Sequence, residues 1–530
     1  MQPIIVIMLL SFFAVLLGVG IYSRRHSSDL NGFVLGGRSV GPWLTAFAFG
    51  TSYFSAVIFV GYAGQFGWRF GIASTWVGLG NAFIGSLLPW AILGRRTRVM
   101  TQHLNSRTMP DFFGLRFLSP AMKTAAALIV FVFLIPYTAS LFNGLSRLFT
   151  MAFPQIDYAW CVIVMAALTG IYVIIGGYMA TAINDFIQGI IMIVGIVAVI
   201  AAVLNGQGGL TEAIARLSQV SAESGSGTQQ LGVFTSFFGA DPLFLLFVVI
   251  LTSLGTWGLP QMVGKFYAIK NEDSIKKGTV ISTVFAILVA GGCYFLGGFG
   301  RLFSDSVSYQ ADGVTPIFDS IIPAMLSDLA PVLIGVVLVL VLSASMSTLS
   351  SLVLTSASTI TLDLVVPASK GRLTERKKML VMRVFIAFFI LVSAVIAIVQ
   401  ARSGVMFIAQ LMGVSWGALA GAFLAPFLYG LFWKRTTRAA CWVSFATGVG
   451  LSLVQLVKSM TGFCFGVPFL DDVLFKTSIH SGSFAMLLGL VLVPVISLVT
   501  RRLDSAAVEQ MFSCYREKSS VPVTKALGES

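Results

Sequence analysis

Apolar runs of about 20 residues or more recur from one end of this chain to the other, each long enough to cross a hydrocarbon core of ~30 Å as a helix. They read as spans at about 3–22, 43–64, 71–94, 121–151, 158–178, 180–204, 240–263, 277–302, 329–364, 378–401, 405–432, 438–458 and 480–500. Only 10% of the 530 residues are charged and 57% are apolar, whereas a soluble domain carries roughly 25% charged residues. The fold class that follows is an all-α polytopic membrane protein with about 13 transmembrane helices, forming one domain over 1–530.

The net charge of +13 would suit nucleic acid if it formed one basic face, but its placement follows a membrane instead. For a chain that starts outside and crosses thirteen times, 27 of the 34 Lys and Arg residues fall in inside loops and the tail, Lys265, Lys270, Lys276 and Lys277 among them. The excess of basic residues on the inner side predicts an outside N-terminus, a cytoplasmic tail at 503–530 and an odd number of spans in the cytoplasmic membrane. The partners expected are lipid and a small solute, with no nucleic acid. The first run has no basic residue ahead of it, no cleavage pattern after it and Arg24-Arg25 behind it, so it reads as an anchor helix and not a signal peptide. The five cysteines show no C-x-x-C spacing and read as packing residues.

Two spans carry helix breakers near mid-membrane, Gly50-Thr51-Ser52 in the second and Gly255-Thr256-Trp257-Gly258-Leu259-Pro260 in the seventh. Backbone groups freed there are tolerable only where they line a cavity. Five spans separate the breaks, and a long span (121–151, 329–364) follows two spans after each. An odd offset of five reverses the second copy relative to the membrane, which predicts a five-plus-five inverted repeat. The expected boundaries are an extra first helix at 3–22, repeats at about 43–204 and 240–432, and two further helices at 438–500. The polar loop GQGGLTEAIARLSQVSAESGSGTQQ reads as mobile.

The ninth span contains LVLSASMSTLSSLVLTSAS, with six hydroxyls between Ser343 and Ser351. On a helix Ala344, Ser347, Thr348 and Ser351 share one face. Hydroxyls and carbonyls are hard neutral ligands suited to a partly dehydrated alkali cation, with Na⁺ the plausible guest; the competing reading is helix packing through small polar residues. Almost all acids and the three histidines lie in loops or at span ends, which favours sodium over protons as the coupling ion. Asp185, near the inner end of the sixth span, is the exception, read either as an interfacial cap or partner to an inside Arg, or as a residue that draws Na⁺ toward the cytoplasm. No embedded His/Asp pair and no metal-ligand spacing suggests an enzyme.

FVLGGRSVGPWLTA at 33–46, SRTMPDFFGLRF at 106–117, INDFIQG at 183–189, GLP at 258–260 and SASMSTLSS at 343–351 together resemble the sodium/solute symporter family, closest to its bacterial pantothenate and proline carriers. The resemblance covers about 450 residues and implies thirteen helices with the inverted repeat. It also implies a sodium site made by the carbonyls of Thr51, Phe54 and Ala344 with the hydroxyls of Ser347 and Thr348, and a place for Asp185 on the sodium exit path. The candidate solute contacts are Tyr53, Ser55, Tyr137, Thr256, Trp257, Gln410 and Trp416. Proline carriers have an Asp where this chain has Tyr53 and aromatic residues where it has Thr252 and Thr256, whereas TSYFSA, INDFIQG and GLP are closer to the pantothenate branch. Pantothenate is therefore the leading named guess among small carboxylates, proline and other monocarboxylates being the neighbours. No Lys or Arg is expected near either break to pair with such a carboxylate, which leaves backbone N–H groups and hydroxyls as donors. The function expected is sodium-coupled import by alternating access; a sodium-independent uniporter or channel and a transporter-like solute sensor are the rivals.

Overall fold

The computed structural model describes residues 3–23, 30–223, 229–310, 313–403 and 408–515. Arg24-Arg25, His26, the middle of the polar loop and the tail beyond 515 lie outside them. Among the described residues eleven helical runs are long and apolar enough to span a membrane: Pro3–Ser23, Val57–His103, Pro120–Leu145, Tyr158–Gly206, Pro242–Ala268, Glu272–Gly297, Pro331–Ala368, Glu375–Gln400, Gln410–Phe432, Arg438–Thr461 and Ser478–Val499. The extended structure is a ribbon of two residues on two, Ala222–Glu223 against Gln229–Gln230.

Two pairs of expected spans are continuous runs with a turn inside. In Tyr158–Gly206 the chain changes direction at Gly177 (φ 56, ψ −146), where a side chain would meet the Phe33 ring at 2.7 Å. Gly71 (φ 63) turns Val57–His103 in the same way. The polar loop, expected to be mobile, holds a helix at Leu210–Ser218 because Ala213 and Leu217 fall on one side and are buried.

Both expected breaks are present. The first helix to break runs Pro42–Tyr53, goes extended at Phe54 (φ −83, ψ 120) and resumes as a wide turn at Val57–Tyr62. The second runs Pro242–Leu254, tightens at Gly255–Trp257, goes extended at Leu259 and restarts at Pro260–Ala268 with Pro in the first helical position. Their ends are tied crosswise. Val40, before the first, accepts from Lys270 N at 2.9 Å and donates to Ala268 O at 3.1 Å, after the second. At the opposite end Arg69 bridges Asp241 at 2.8 Å. The two broken helices therefore run antiparallel, side by side.

The hydroxyl-rich helix, Pro331–Thr359, is buried almost without interruption from Val337 to Thr359. Gln410–Phe432 is also central, 94% of its best apolar window being inside, against 28% for the peripheral Pro3–Ser23. At one end of the bundle arginines are drawn in. Arg38 reaches Thr101 and Ser106, and its burial, opposed by Tyr267 and helped by Arg107, lowers its pKa to about 10, so it stays charged at neutral pH.

One close helix crossing is glycine on glycine. A Cβ on Gly67 would lie 1.9 Å from the Gly297 carbonyl oxygen, and one on Gly297 would lie 2.0 Å from the Ala63 carbonyl oxygen. Backbone cannot yield as a flexible side chain does. Gly67→Ala is expected to destabilise the purified protein by about 1–3 kcal/mol or more, read as a lower thermal midpoint. Gly450→Ala, in a helix position with nothing within 4 Å, should be neutral or stabilising by up to ~1 kcal/mol. An unchanged midpoint for Gly67→Ala in detergent would contradict this crossing.

Candidate functional site

The extended residue Phe54 ends the helical ladder, so carbonyls of the last turn of Pro42–Tyr53 lose their partners. The hydroxyl-rich helix meets them. Thr348 Oγ1 donates to Thr51 O at 2.9 Å, or to Phe54 O at 3.2 Å or Ala344 O at 3.1 Å, the alternatives for a single proton. Ser347 Oγ lies 3.3 Å from Thr51 O, 3.1 Å from Ala344 O and 2.8 Å from Ser343 O. Three carbonyl and two hydroxyl oxygens thus converge, and all five residues are buried. The set contains no nitrogen, sulfur or carboxylate. Neutral oxygens of this kind suit an alkali cation, whereas Ca²⁺ takes carboxylates among its ligands. The residues present fit sodium.

The other hydroxyls of this stretch have different tasks. Ser350 Oγ bonds back to Ser347 O at 2.9 Å. Ser351 Oγ shares a hydrogen bond of 2.7 Å with Ser52 Oγ. Ser343 and Ser345 hydroxyls are buried without a partner among the described residues.

Beside the first break lies an aromatic cluster. Trp416 stands 5.8 Å from the Tyr53 ring and 6.0 Å from the Tyr137 ring, nearly perpendicular to the latter. The Tyr137 hydroxyl neighbours Ser55 and the Trp416 indole. Tyr53 Oη, Ser55 Oγ, Tyr137 Oη and Trp416 Nε1 are all buried without a hydrogen-bond partner among the described residues. Unpaired buried polar atoms are costly, and four together are what a polar solute would satisfy. The second break reaches this cluster through Gly255, where a Cβ would lie 2.6 Å from the Trp416 ring.

The structure does not bring the remaining three solute candidates there as free donors. Thr256 Oγ1 is committed to the carbonyls of Gly85 (2.8 Å) and Ser253 (2.9 Å), and Trp257 Nε1 donates to Ile84 O at 2.8 Å. Gln410 lines a separate cavity with Gln455, Lys458, Lys476 and Thr477.

Asp185 is fully buried, and the basic residue that faces it is a lysine and not an inside arginine. Lys265, expected in a loop, lies inside the bundle with its Nζ 3.7 Å from the Asp185 carboxylate. Counting from the restart at Pro260 would have revealed it, because five residues of helix do not reach a membrane surface from mid-bilayer. Asp363, expected at a span end, is buried as well, accepting from Thr108 Oγ1 at 2.6 Å and facing Lys123 at 3.3 Å. The wide turn Ile360–Val365 continues the hydroxyl-rich helix and carries Asp363 inward.

The chain matches the model of the sodium:solute symporter family over residues 33–448. It is 26% identical to the osmoregulated proline transporter OpuE of Bacillus subtilis (strain 168), over 94% of this chain and 95% of that one. It is 29% identical to the sodium/proline symporter of Salmonella typhimurium (strain LT2), over 88% and 91%. A solved structure of a Na⁺-coupled sialic acid symporter in a substrate-bound outward-open state superposes with a TM-score of 0.70 at 15% identity, over 94% of this chain and 99% of that one. The family and these relatives are transporters and not enzymes. The match over most of the chain, on a helical bundle with two broken helices, places this protein in the sodium:solute symporter family.

Proposed function

We propose that the chain is a sodium-coupled symporter that carries a small carboxylate-bearing solute inward across the cytoplasmic membrane by alternating access. The observation that carries this reading is the convergence of the Thr51, Phe54 and Ala344 carbonyls with the Ser347 and Thr348 hydroxyls at the first break. Sodium bound there stabilises the broken geometry that also holds Tyr53 and Ser55 beside Tyr137 and Trp416. Ion and solute each favour the conformation the other needs, and that differential affinity is the coupling. One Na⁺ moving inward contributes about 2.3 kcal/mol per 100 mV besides its concentration term.

The antiparallel seating of the two broken helices supports the five-plus-five inverted repeat over about 43–204 and 240–432. Dividing the continuous runs at Gly71 and Gly177 and adding the half-helix Pro42–Tyr53 to the run that follows it supports thirteen crossings. By the positive-inside rule the arginine-rich end is cytoplasmic and the N-terminus outside. Asp185, toward that end from the sodium site, lies on the exit path of the ion.

The solute donors are the unpartnered Tyr53, Ser55, Tyr137 and Trp416 groups, with the sodium charge close by. Thr256 and Trp257 shape the second break, and Gln410 belongs to an outer vestibule. Proline and pantothenate both present a carboxylate, and the relatives carry proline in their names.

Ser347→Ala and Thr348→Ala are each expected to raise the sodium concentration for half-maximal uptake about tenfold, the loss of one ligand at ~1.4 kcal/mol. Uptake measured against sodium in right-side-out vesicles checks this; ordinary sodium dependence in both variants would sink the site. For the solute, proline and pantothenate are each compared with their methyl esters as competitors of uptake. The acid that is carried should lose most of its inhibition on esterification, because the ester removes the charge that buried donors and sodium recognise. Equal inhibition by acid and ester removes the carboxylate reading.

A further inference from the structure

Lys265 joins four elements of the bundle. Its Nζ donates to Ser351 Oγ at 3.0 Å on the hydroxyl-rich helix. Ser351 is hydrogen-bonded to Ser52, next to the sodium-facing Thr51 on the first broken helix. The ammonium faces Asp185 at 3.7 Å on the Tyr158–Gly206 helix and lies 5.3 Å from the Tyr178 ring. Ser351 follows Ser347 by four residues, one helical turn, so the ammonium stands one turn from the sodium site.

The ion pair is loose. A charge-assisted hydrogen bond closes to about 2.7–2.9 Å, yet both Asp185 oxygens are buried without a hydrogen-bond partner among the described residues. The side-chain amides of Gln188 and Gln261 and the Tyr178 hydroxyl are in the same state. A fully buried carboxylate satisfied only by an ammonium at this distance retains acceptor capacity for a hard cation. Ser351 Oγ, 3.0 Å from the same ammonium, and Ser52 Oγ, 2.7 Å from Ser351 Oγ, bring two hydroxyl oxygens to this cluster. Next to the ammonium is a cavity lined by Tyr178, Gln261, Gly264, Lys265, Ser351 and Thr355.

We propose that Lys265 is a tethered cation occupying, in competition with sodium, a second cation site formed by Asp185, Ser351 and Ser52, and that it holds the number of sodium ions on the resting protein at one. The proposal rests on the sodium reading of the Thr51–Thr348 site. Lysine suits the task because its charge is compact and its stem flexible, so the ammonium can swing into the adjoining cavity when a departing ion reaches Asp185. Exchanging one monovalent cation for another keeps the buried site's net charge constant. No step then leaves Asp185 ionised and alone.

The test counts ions. Equilibrium binding of radioactive sodium to the full-length protein in lipid nanodiscs should give about one ion per chain for the wild type and about two for Lys265→Met. The double variant Lys265→Met with Asp185→Asn should return to one. Lys265→Gln is read in the same way should the methionine variant not insert. A purely structural latch would not change the count. One ion in wild type and one in both neutral variants overturns the proposal, as do two in wild type or failure of both variants to fold. No ion in wild type but one in Lys265→Met would refute the sodium reading at Thr51 while supporting the site at Asp185; no ion in either refutes both.

Discussion

Interrupting a helix inside a membrane strands carbonyl and N–H groups where no lipid can bond them, and Thr348 is what makes the first interruption tolerable. Its hydroxyl lies within hydrogen-bond distance of three carbonyls, those of Thr51, Phe54 and Ala344. One hydroxyl proton cannot serve three acceptors. In the proposed reading a cation that ligates all three oxygens serves them together. The same geometry explains why the hydroxyl-rich helix must be central and buried from Val337 to Thr359: its oxygens face a broken backbone and not lipid.

The opposite electrostatic problem is solved at the arginine-rich end. Helices ending there leave carbonyls at their negative dipole ends, and guanidinium groups from other helices supply the donors. Arg98 Nε donates to Ile269 O at 2.6 Å, Arg116 Nε to Gly430 O at 2.8 Å, and Arg438 Nε to Phe117 O at 2.6 Å. Each contact ties one helix end to another distant in sequence. The basic residues gathered at this end are thus also its fasteners.

What was legible in the sequence followed from periodicity and from breakers. Spans, both breaks and the shared face of Ala344, Ser347 and Thr348 depend on local spacing, and the fold brings that face to the first break. The residues that escaped depend on partners far along the chain. Thr256 and Trp257 look like exposed donors at a break, but Gly85 and Ile84 on another helix accept their protons. Lys265 reads as a loop residue until the helix is restarted at Pro260. Gln410 lies near an aromatic residue in sequence yet faces the vestibule of Gln455 and Lys458, because Trp416 is six residues on, most of two turns away.

The break explains how one ion can govern an unrelated solute without a long pathway between them. In the proposed reading Thr51 and Phe54 offer carbonyls to the ion, and Tyr53 and Ser55, in the same five residues, offer side chains to the solute cluster. An extended step sends consecutive groups to different sides, so the two sites share one backbone segment while remaining chemically separate. In the proposed cycle, losing sodium frees the Thr51 and Phe54 carbonyls, and the segment carrying Tyr53 and Ser55 loses what fixes it. Solute affinity then falls because the donors are no longer held, which is coupling through order and not through contact. Lys265 extends the argument one turn further. Through Ser351 and Ser52 it is bonded to the same half-helix, so where its ammonium stands bears on the geometry of the break that both ion and solute read.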